Sequence, residues 1–258
     1  MRSNGSAFVA IMDALLRGRH GIVAVIETYF DESMRGDFTC VAGYAFVKSR
    51  CKRFDSEWGE LLRSYHLPYF RMSACAHGNK PFDVLSPQQC INAEKRAIGL
   101  INQYASHGIA VGTTTAEFQR SYSKSEHIST PYEFCVWAIL AGVQSWLGDS
   151  GVKGSVAYFF EAGHKHQGRA NMMMKKIFAA PELKARYRYA GHAFVDKVQS
   201  RPAQAADLLA WQFATEYRRL REGRPYARKD YANLVRLHHE VVFPSITPIP
   251  ASGYRRFT

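Results

Sequence analysis

Three apolar runs constrain the fold of this chain more than any other feature, because each passes directly into an acid. Ile22 to Phe30 runs into Asp31, Ser155 to Phe160 into Glu161, and Tyr187 to Val195 into Asp196. Short runs rich in β-branched and aromatic residues read as buried strands. Phe38 to Val47 follows the first run across Gly36, so the two predict a hairpin at the start of an antiparallel or mixed sheet.

Between these runs the periodicity is helical. Trp58, Leu61, Leu62 and Tyr65 share one face of a helix over Ser56 to Tyr65. Cys90 to Ala105 reads as a helix and Ile109 to Thr115 as a strand. Pro131 fits the first turn of a helix reaching about Trp146. A Met-rich helix is expected over Asn171 to Phe178, a strong one over Ala203 to about Arg221, and a last one over Tyr231 to Val241 before a Pro-rich tail. Arg71 to Ser86, with Gly78, Asn79 and Pro81, predicts an irregular loop. Strands alternating with helices in this way define an α/β chain. No repeat or linker divides it, so residues 21–258 are expected to form one domain behind an extension of residues 1–20. Ala7 to Leu16, broken by Asp13, reads as a short amphipathic helix without a signal-peptide cleavage site. No run approaches the roughly 18 apolar residues that span a bilayer, so no membrane partner is expected. Five cysteines, Cys40, Cys51, Cys75, Cys90 and Cys135, lack framework spacing and read as reduced thiols, which places the chain in the cytoplasm.

The carboxyl ends of neighbouring strands in an α/β sheet converge on one edge. Asp31, Glu161 and Asp196 can therefore meet in space. Gathered carboxylates repel one another unless a cation lies between them, and an all-oxygen set suits Mg²⁺ or Mn²⁺. That setting serves metal-assisted phosphodiester hydrolysis. An acid after a strand also serves as a turn residue or helix cap, and that alternative stands for each of the three. Asp207 is a fourth candidate. On a helix whose apolar face carries Ala206, Leu209, Ala210, Phe213, Ala214, Tyr217 and Leu220, it falls at the margin beside Ala203, Ala210 and Ala214. A carboxylate there is costly without a partner, either a metal or a Ser or Arg side chain.

The net charge is +12, and the segment from Lys165 to the end holds 18 Lys and Arg against 7 Asp and Glu. Tyr187, Tyr189, Tyr217 and Tyr226 are interleaved with the basic clusters. Such a field attracts phosphate backbones, and its aromatics offer stacking surfaces. A solvated helix face is the alternative. Lys175, Lys176, Arg186, Arg188, Arg218 and Arg219 are the candidate substrate-binding residues, with His164, Lys165 and His166 just beyond Glu161. Cys75-Ala76-His77 lacks a second Cys/His pair for zinc, and Met172, Met173 and Met174 read as core or interface filling. No Walker loop, dinucleotide fingerprint or Gly-x-Ser-x-Gly elbow is present, which removes nucleotide-cofactor and serine-hydrolase chemistry.

Thr28-Tyr29-Phe30-Asp31-Glu32-Ser33, with Val41-Ala42-Gly43 on the next strand, carries a family likeness together with a distal pair of motifs. These are Asp196-Lys197-Val198-Gln199-Ser200 and Gln204-Ala205-Ala206-Asp207-Leu208-Leu209-Ala210-Trp211. The chain resembles, over roughly residues 22–222, the bacterial domain-of-unknown-function family numbered thirty-eight hundred. The resemblance implies a ribonuclease H-like mixed β-sheet flanked by helices, with helical insertions. It further implies a metal-dependent nuclease acting on RNA or DNA, often near mobile elements or phage-defence genes. On this likeness Asp31, Glu161 and Asp207 hold Mg²⁺ or Mn²⁺ and Asp196 assists catalysis. A homodimer or a partner protein from a defence operon is the further expectation. The sequence departs from the family pattern at Met34, where many relatives carry glycine and only a turn is at stake, and at Lys197, where a serine usually follows the acid. The rival reading is a non-catalytic nucleic-acid- or protein-binding member of the same fold, and it wins where an Arg or Lys fills the gap between Asp31 and Asp207.

Overall fold

The computed structural model describes residues 25–122, 128–224, 227–235 and 239–242. The expected helix over Ala7 to Leu16, the extension of residues 1–20, Tyr226 and the Pro-rich tail lie outside them. Strand β1, Val25–Arg35, pairs antiparallel with β2, Phe38–Val47, and β2 pairs antiparallel with β3, His107–Thr114. On the other side of β1, β4 (Ser155–Glu161) and then β5 (Tyr189–Val195) add in parallel. Strand β6, His239–Val242, pairs parallel with β3 at the far edge, giving the order β5-β4-β1-β2-β3-β6. This mixed sheet with helices on both faces is an α/β fold.

Alternation along each strand sorts the core into two layers. Val25 and Tyr29 of β1 face a layer that includes Trp58 and Leu61 of α1 (Lys48–Ser64), Ala93 and Ala97 of α3 (Pro87–Tyr104), and the inner face of α8 (Arg201–Arg221). Ile26 and Phe30 face the opposite layer, built mainly from α5 (Pro131–Asp149) and α6 (Gln167–Ile177). Helix α8 lies against β1 and β2 through Ala206, Ala210 and Ala214, small residues that let helix and sheet backbones approach. Between α3 and α5, α4 (Thr115–Tyr122) follows β3, and α7 (Pro181–Arg186) leads into β5. Thr130 caps α5 by accepting from the Glu133 amide, and Pro131 occupies the first turn, as its position in the sequence predicts.

Four expectations need correction. Strand β1 does not end at Asp31, because its ladder with β2 continues from Asp31–Ala42 to Arg35–Phe38; only the parallel neighbour stops, β4 ending at Glu161. Met34 is consequently a strand residue opposite Thr39, and the turn lies beyond it, at Gly36 with φ of 60°. The expected loop from Arg71 to Ser86 contains α2 (Met72–His77) and a 3₁₀ turn, Phe82–Val84. Its apolar residues Met72 and Phe82, with Phe70 just before them, are buried, which orders a segment whose Gly and Pro content reads as an irregular loop. The last helix, α9, covers only Lys229–Leu234, and the β-branched Val241-Val242 belongs to β6. Among the described residues no helix is long and apolar enough to cross a membrane, and all five cysteines are buried and free of disulfides.

Candidate functional site

The last β1–β4 pair is Phe30 with Phe160, so Asp31 and Glu161 both stand one residue beyond it on adjacent strands. By alternation they project to the same side as Tyr29 and Phe159, whose rings stack at 4.7 Å, and α8 crosses that side. Asp207, in the second turn of α8, reaches down to the two strand acids. Between them lies Lys197, two residues past the end of β5 at Val195. Its Nζ is 2.9 Å from Asp31 Oδ2, 2.8 Å from Glu161 Oε1 and 2.8 Å from Asp207 Oδ1. A lysine therefore fills the gap between Asp31 and Asp207.

The backbone around the cluster is held in place by side chains of the second motif. Asp207 Oδ2 accepts the Met72 amide at 2.6 Å, and Asp31 Oδ1 accepts the Glu32 amide at 2.7 Å. Gln204, one turn before Asp207, accepts from Trp58 Nε1 at 2.8 Å and from the Phe70 amide at 2.9 Å. Its Nε2 donates to the Lys197 carbonyl at 3.0 Å. One amide thus ties α1, the segment before α2 and the Lys197 loop to the same helix.

Glu32 alternates to the other side of β1. Because β4 has ended, its carboxylate still comes within 4.8 Å of those of Asp31 and Glu161, and these three acids can hold a metal ion. Electrostatics register the crowding. Burial, then the hydrogen bond to Glu161 and the charge of Asp207, raise Asp31 well above the usual carboxylate range. Burial and the Glu161 charge push Glu32 up to about 7. Burial alone would lower the Lys197 ammonium, but Asp207, Asp31 and Glu161 outweigh it and hold the group charged. Tyr132 of α5 is buried beside the same charges, so burial and then Glu32, Asp31 and Glu161 keep its phenol protonated.

Asp31, Glu161 and Asp207 are thus brought together, and Asp196 is not. Asp196 is exposed and its carboxylate accepts the Val198 amide at 2.8 Å, a turn bond that leaves it pointing away from the cluster. Sequence reasoning missed Lys197 and Glu32. The signal for Lys197 was present as the departure from the family pattern next to Asp196, but nothing local says that this side chain turns inward.

The basic candidates are scattered. His164 is buried, stacked on Tyr132 at 3.9 Å between ring centres, with Nδ1 accepting the His166 amide at 3.1 Å. Burial first, then His166 and Lys165, lower its pKa to about 4, so it is a neutral ring and not a phosphate-binding cation. Lys165, Lys175, Lys176 and Arg186 are exposed on or near α6 and α7, whereas His166 is half-buried. Arg188 donates to the Val152 carbonyl and sits at φ of 48°, a structural task. Arg218 pairs with Glu222 and Arg219 with Glu216. Both arginines lie 11 to 12 residues beyond Asp207, about 17 Å along α8 at 1.5 Å per residue. A cleft of about 530 Å³ between α5, α6 and α7 is lined by Ile128, Glu133, Trp137, Arg169 and Lys176, and none of the four clustered acids reaches it.

No family model and no curated protein matches this chain.

Proposed function

We propose that this protein is a ribonuclease H-like, divalent-metal-dependent phosphodiesterase acting on nucleic acid. The observation that carries this reading is a charge imbalance in a confined site. Asp31, Glu32, Glu161 and Asp207 face a single ammonium, Lys197, among the described residues. Taking several carboxylates out of water with one compensating charge is unfavourable, and the raised Asp31 and Glu32 express that deficit. A hard divalent cation relieves it, and the donor set is entirely oxygen. The mixed sheet, with acids standing where the parallel pairing of β1 with β4 stops and a further acid on the helix across them, supports the ribonuclease H-like reading.

Asp31, Glu161 and Glu32 are the residues to hold Mg²⁺ or Mn²⁺, with Asp207 across from them. When bound, such an ion polarises a phosphoryl oxygen and makes water a nucleophile near neutral pH. The remaining work belongs to the chain. The Met72 amide orients Asp207, the Gln204 side chain fixes the Lys197 loop, and the Lys197 ammonium, were a cation to take over its acids, would be free to pair with a phosphate oxygen. The buried Tyr132 phenol stays protonated and can offer a hydrogen bond from the opposite side.

The lysine between Asp31 and Asp207 meets the criterion set for the binding alternative and stands for a second reading. Lys197 already bridges three acids at 2.8 to 2.9 Å, so the cluster can serve as a closed ionic lock in a protein that binds nucleic acid without turnover. Labelled single- and double-stranded RNA and DNA incubated with Mn²⁺ or EDTA decide between them. Cleavage that needs Mn²⁺ and disappears in Asp31→Asn supports the nuclease; salt-sensitive binding with no product in any arm supports the lock.

A further inference from the structure

Arg35 and Trp211 lie on the same side of the sheet as the carboxylate site, and neither belonged to the basic clusters that the sequence singled out as substrate-binding. Arg35 is four residues past Asp31 on β1, hence on the same face and about 13 Å further along the strand. Trp211 is four residues past Asp207 on α8, one turn on and on the same side, about 6 Å along the axis. The Arg35 guanidinium carbon stands 5.8 Å from the indole centre. Such stacking fixes the direction of the guanidinium without satisfying its N–H groups.

Those groups are without acceptors among the described residues. Arg35 Nε and Trp211 Nε1 are both buried donors lacking a hydrogen-bond partner, and Arg35 forms no ion pair with a described residue. The neighbouring charges are ion-paired, although Arg228 Nε and Nη2 also make no hydrogen bond. Asp37, just past the turn, pairs with Arg221 at 3.3 Å. Arg228, which also approaches the indole at 5.4 Å, is 3.5 Å from the buried Glu216 carboxylate. A guanidinium Nε–H and an indole N–H that are buried without acceptors, on side chains in contact, call for an anionic oxygen.

We propose that Arg35, with the Trp211 N–H beside it, is a phosphate subsite for a nucleic-acid strand running from the carboxylate cluster along the edge of α8. The inference rests on reading that cluster as nucleic-acid-facing, whether or not it turns over substrate. It assigns positioning of the strand to one guanidinium near the acids instead of to the exposed lysines of α6.

The test measures binding of fluorescein-labelled 12-nucleotide DNA across a salt series in EDTA and in Ca²⁺, apart from cleavage in Mn²⁺. Arg35→Gln is expected to weaken binding roughly tenfold at low salt and to flatten the salt slope by about one. Arg186→Gln, which removes the same charge from the exposed α7, is expected to weaken it by about twofold at most. Trp211→Phe keeps an aromatic face and loses the N–H, with an expected loss of about threefold; it also answers the question should Arg35→Gln unfold. Equal effects of Arg35→Gln and Arg186→Gln, or no binding by the parent, overturn the subsite. A parent that binds with this Arg35 dependence but never cleaves keeps the subsite and removes the nuclease reading. A parent that cleaves with Mn²⁺ while Arg35→Gln binds normally does the reverse.

Discussion

The ammonium of Lys197 lies 2.9 Å from the carboxylate of Asp31, a residue 166 positions away in the chain. With Glu161 and Asp207 also within 2.8 Å of that nitrogen, one side chain from the loop after β5 joins the central strand, its parallel neighbour and the covering helix. Its removal and its competition with a metal give the most direct handle on the site.

In metal-free buffer, Lys197→Met leaves the carboxylates without their only described counter-charge. Breaking a buried ion pair from one side costs about 3 kcal/mol or more. Thermal unfolding in EDTA should show that loss, and millimolar Mn²⁺ should raise the Tm of the variant more than that of the parent. A Tm indifferent to Mn²⁺ in both proteins rules out a metal site here.

Asp31→Asn and Asp207→Asn each remove a charge while preserving shape, so both should fold, as far-UV circular dichroism will report. Each is expected to lower Mn²⁺-dependent cleavage by about a hundredfold or more, the scale of losing one preorganised electrostatic group. Asp196→Asn, whose carboxylate makes only a turn bond to the Val198 amide, should change the rate less than threefold. Comparable losses at all three positions would return Asp196 to the site.

Gln204→Leu strips partners from Trp58 Nε1, the Phe70 amide and the Lys197 carbonyl at once. Each orphaned buried group costs about 1 to 3 kcal/mol. Urea denaturation should show a loss of at least about 2 kcal/mol, and the freed Lys197 loop should lower any activity further. Unchanged stability would mean that these bonds are exchanged for water without cost.

Gly43 belongs to the first family-like motif, yet its role is steric. A Cβ built there lies 1.8 Å from the Tyr29 carbonyl oxygen on the adjacent strand. Gly43→Ala must push β1 and β2 apart, and a loss of about 2 kcal/mol or more is expected. Chemical denaturation checks it, and a neutral result would show that the hairpin gives way freely.

Glu94 supplies a pH handle away from the site. Burial, then the charge of Asp230, raise its pKa from 4.5 to about 7, while Arg228 and the Gln212 amide pull the other way. A carboxyl with a raised folded-state pKa stabilises the fold fully below about 4.5, and that contribution is lost as pH rises through about 7. Glu94→Gln, which can still accept from Gln212 Nε2, should flatten the decline over that window. The expected gain is about 1 kcal/mol at pH 8 after screening of a half-exposed group. Parallel stability curves for parent and variant between pH 4 and 8 would contradict it.

Elements whose hydrophobic period is set locally were legible. The apolar run of β4, the Pro131 start of α5 and the alanine-lined face of α8 emerge within a residue or two of their observed positions. Elements stabilised from outside were not. α2 has only six residues and holds its form because Phe70 and Phe82 are buried around it, while β6 depends on hydrogen bonds from β3 that no local pattern announces.

The sequence by itself determined that acids directly follow Phe30 and Phe160 and that another lies on the inner margin of α8, because strand alternation and helical period are properties of neighbouring residues. Only the tertiary structure decided which charges share the pocket. It turned Asp196 outward, brought Glu32 past the end of β4 and drew Lys197 in. The reason is that the cost of a buried carboxylate is settled by whichever opposite charge the packing delivers, and a side chain two residues past a strand can fall on either side until the covering helix is in place.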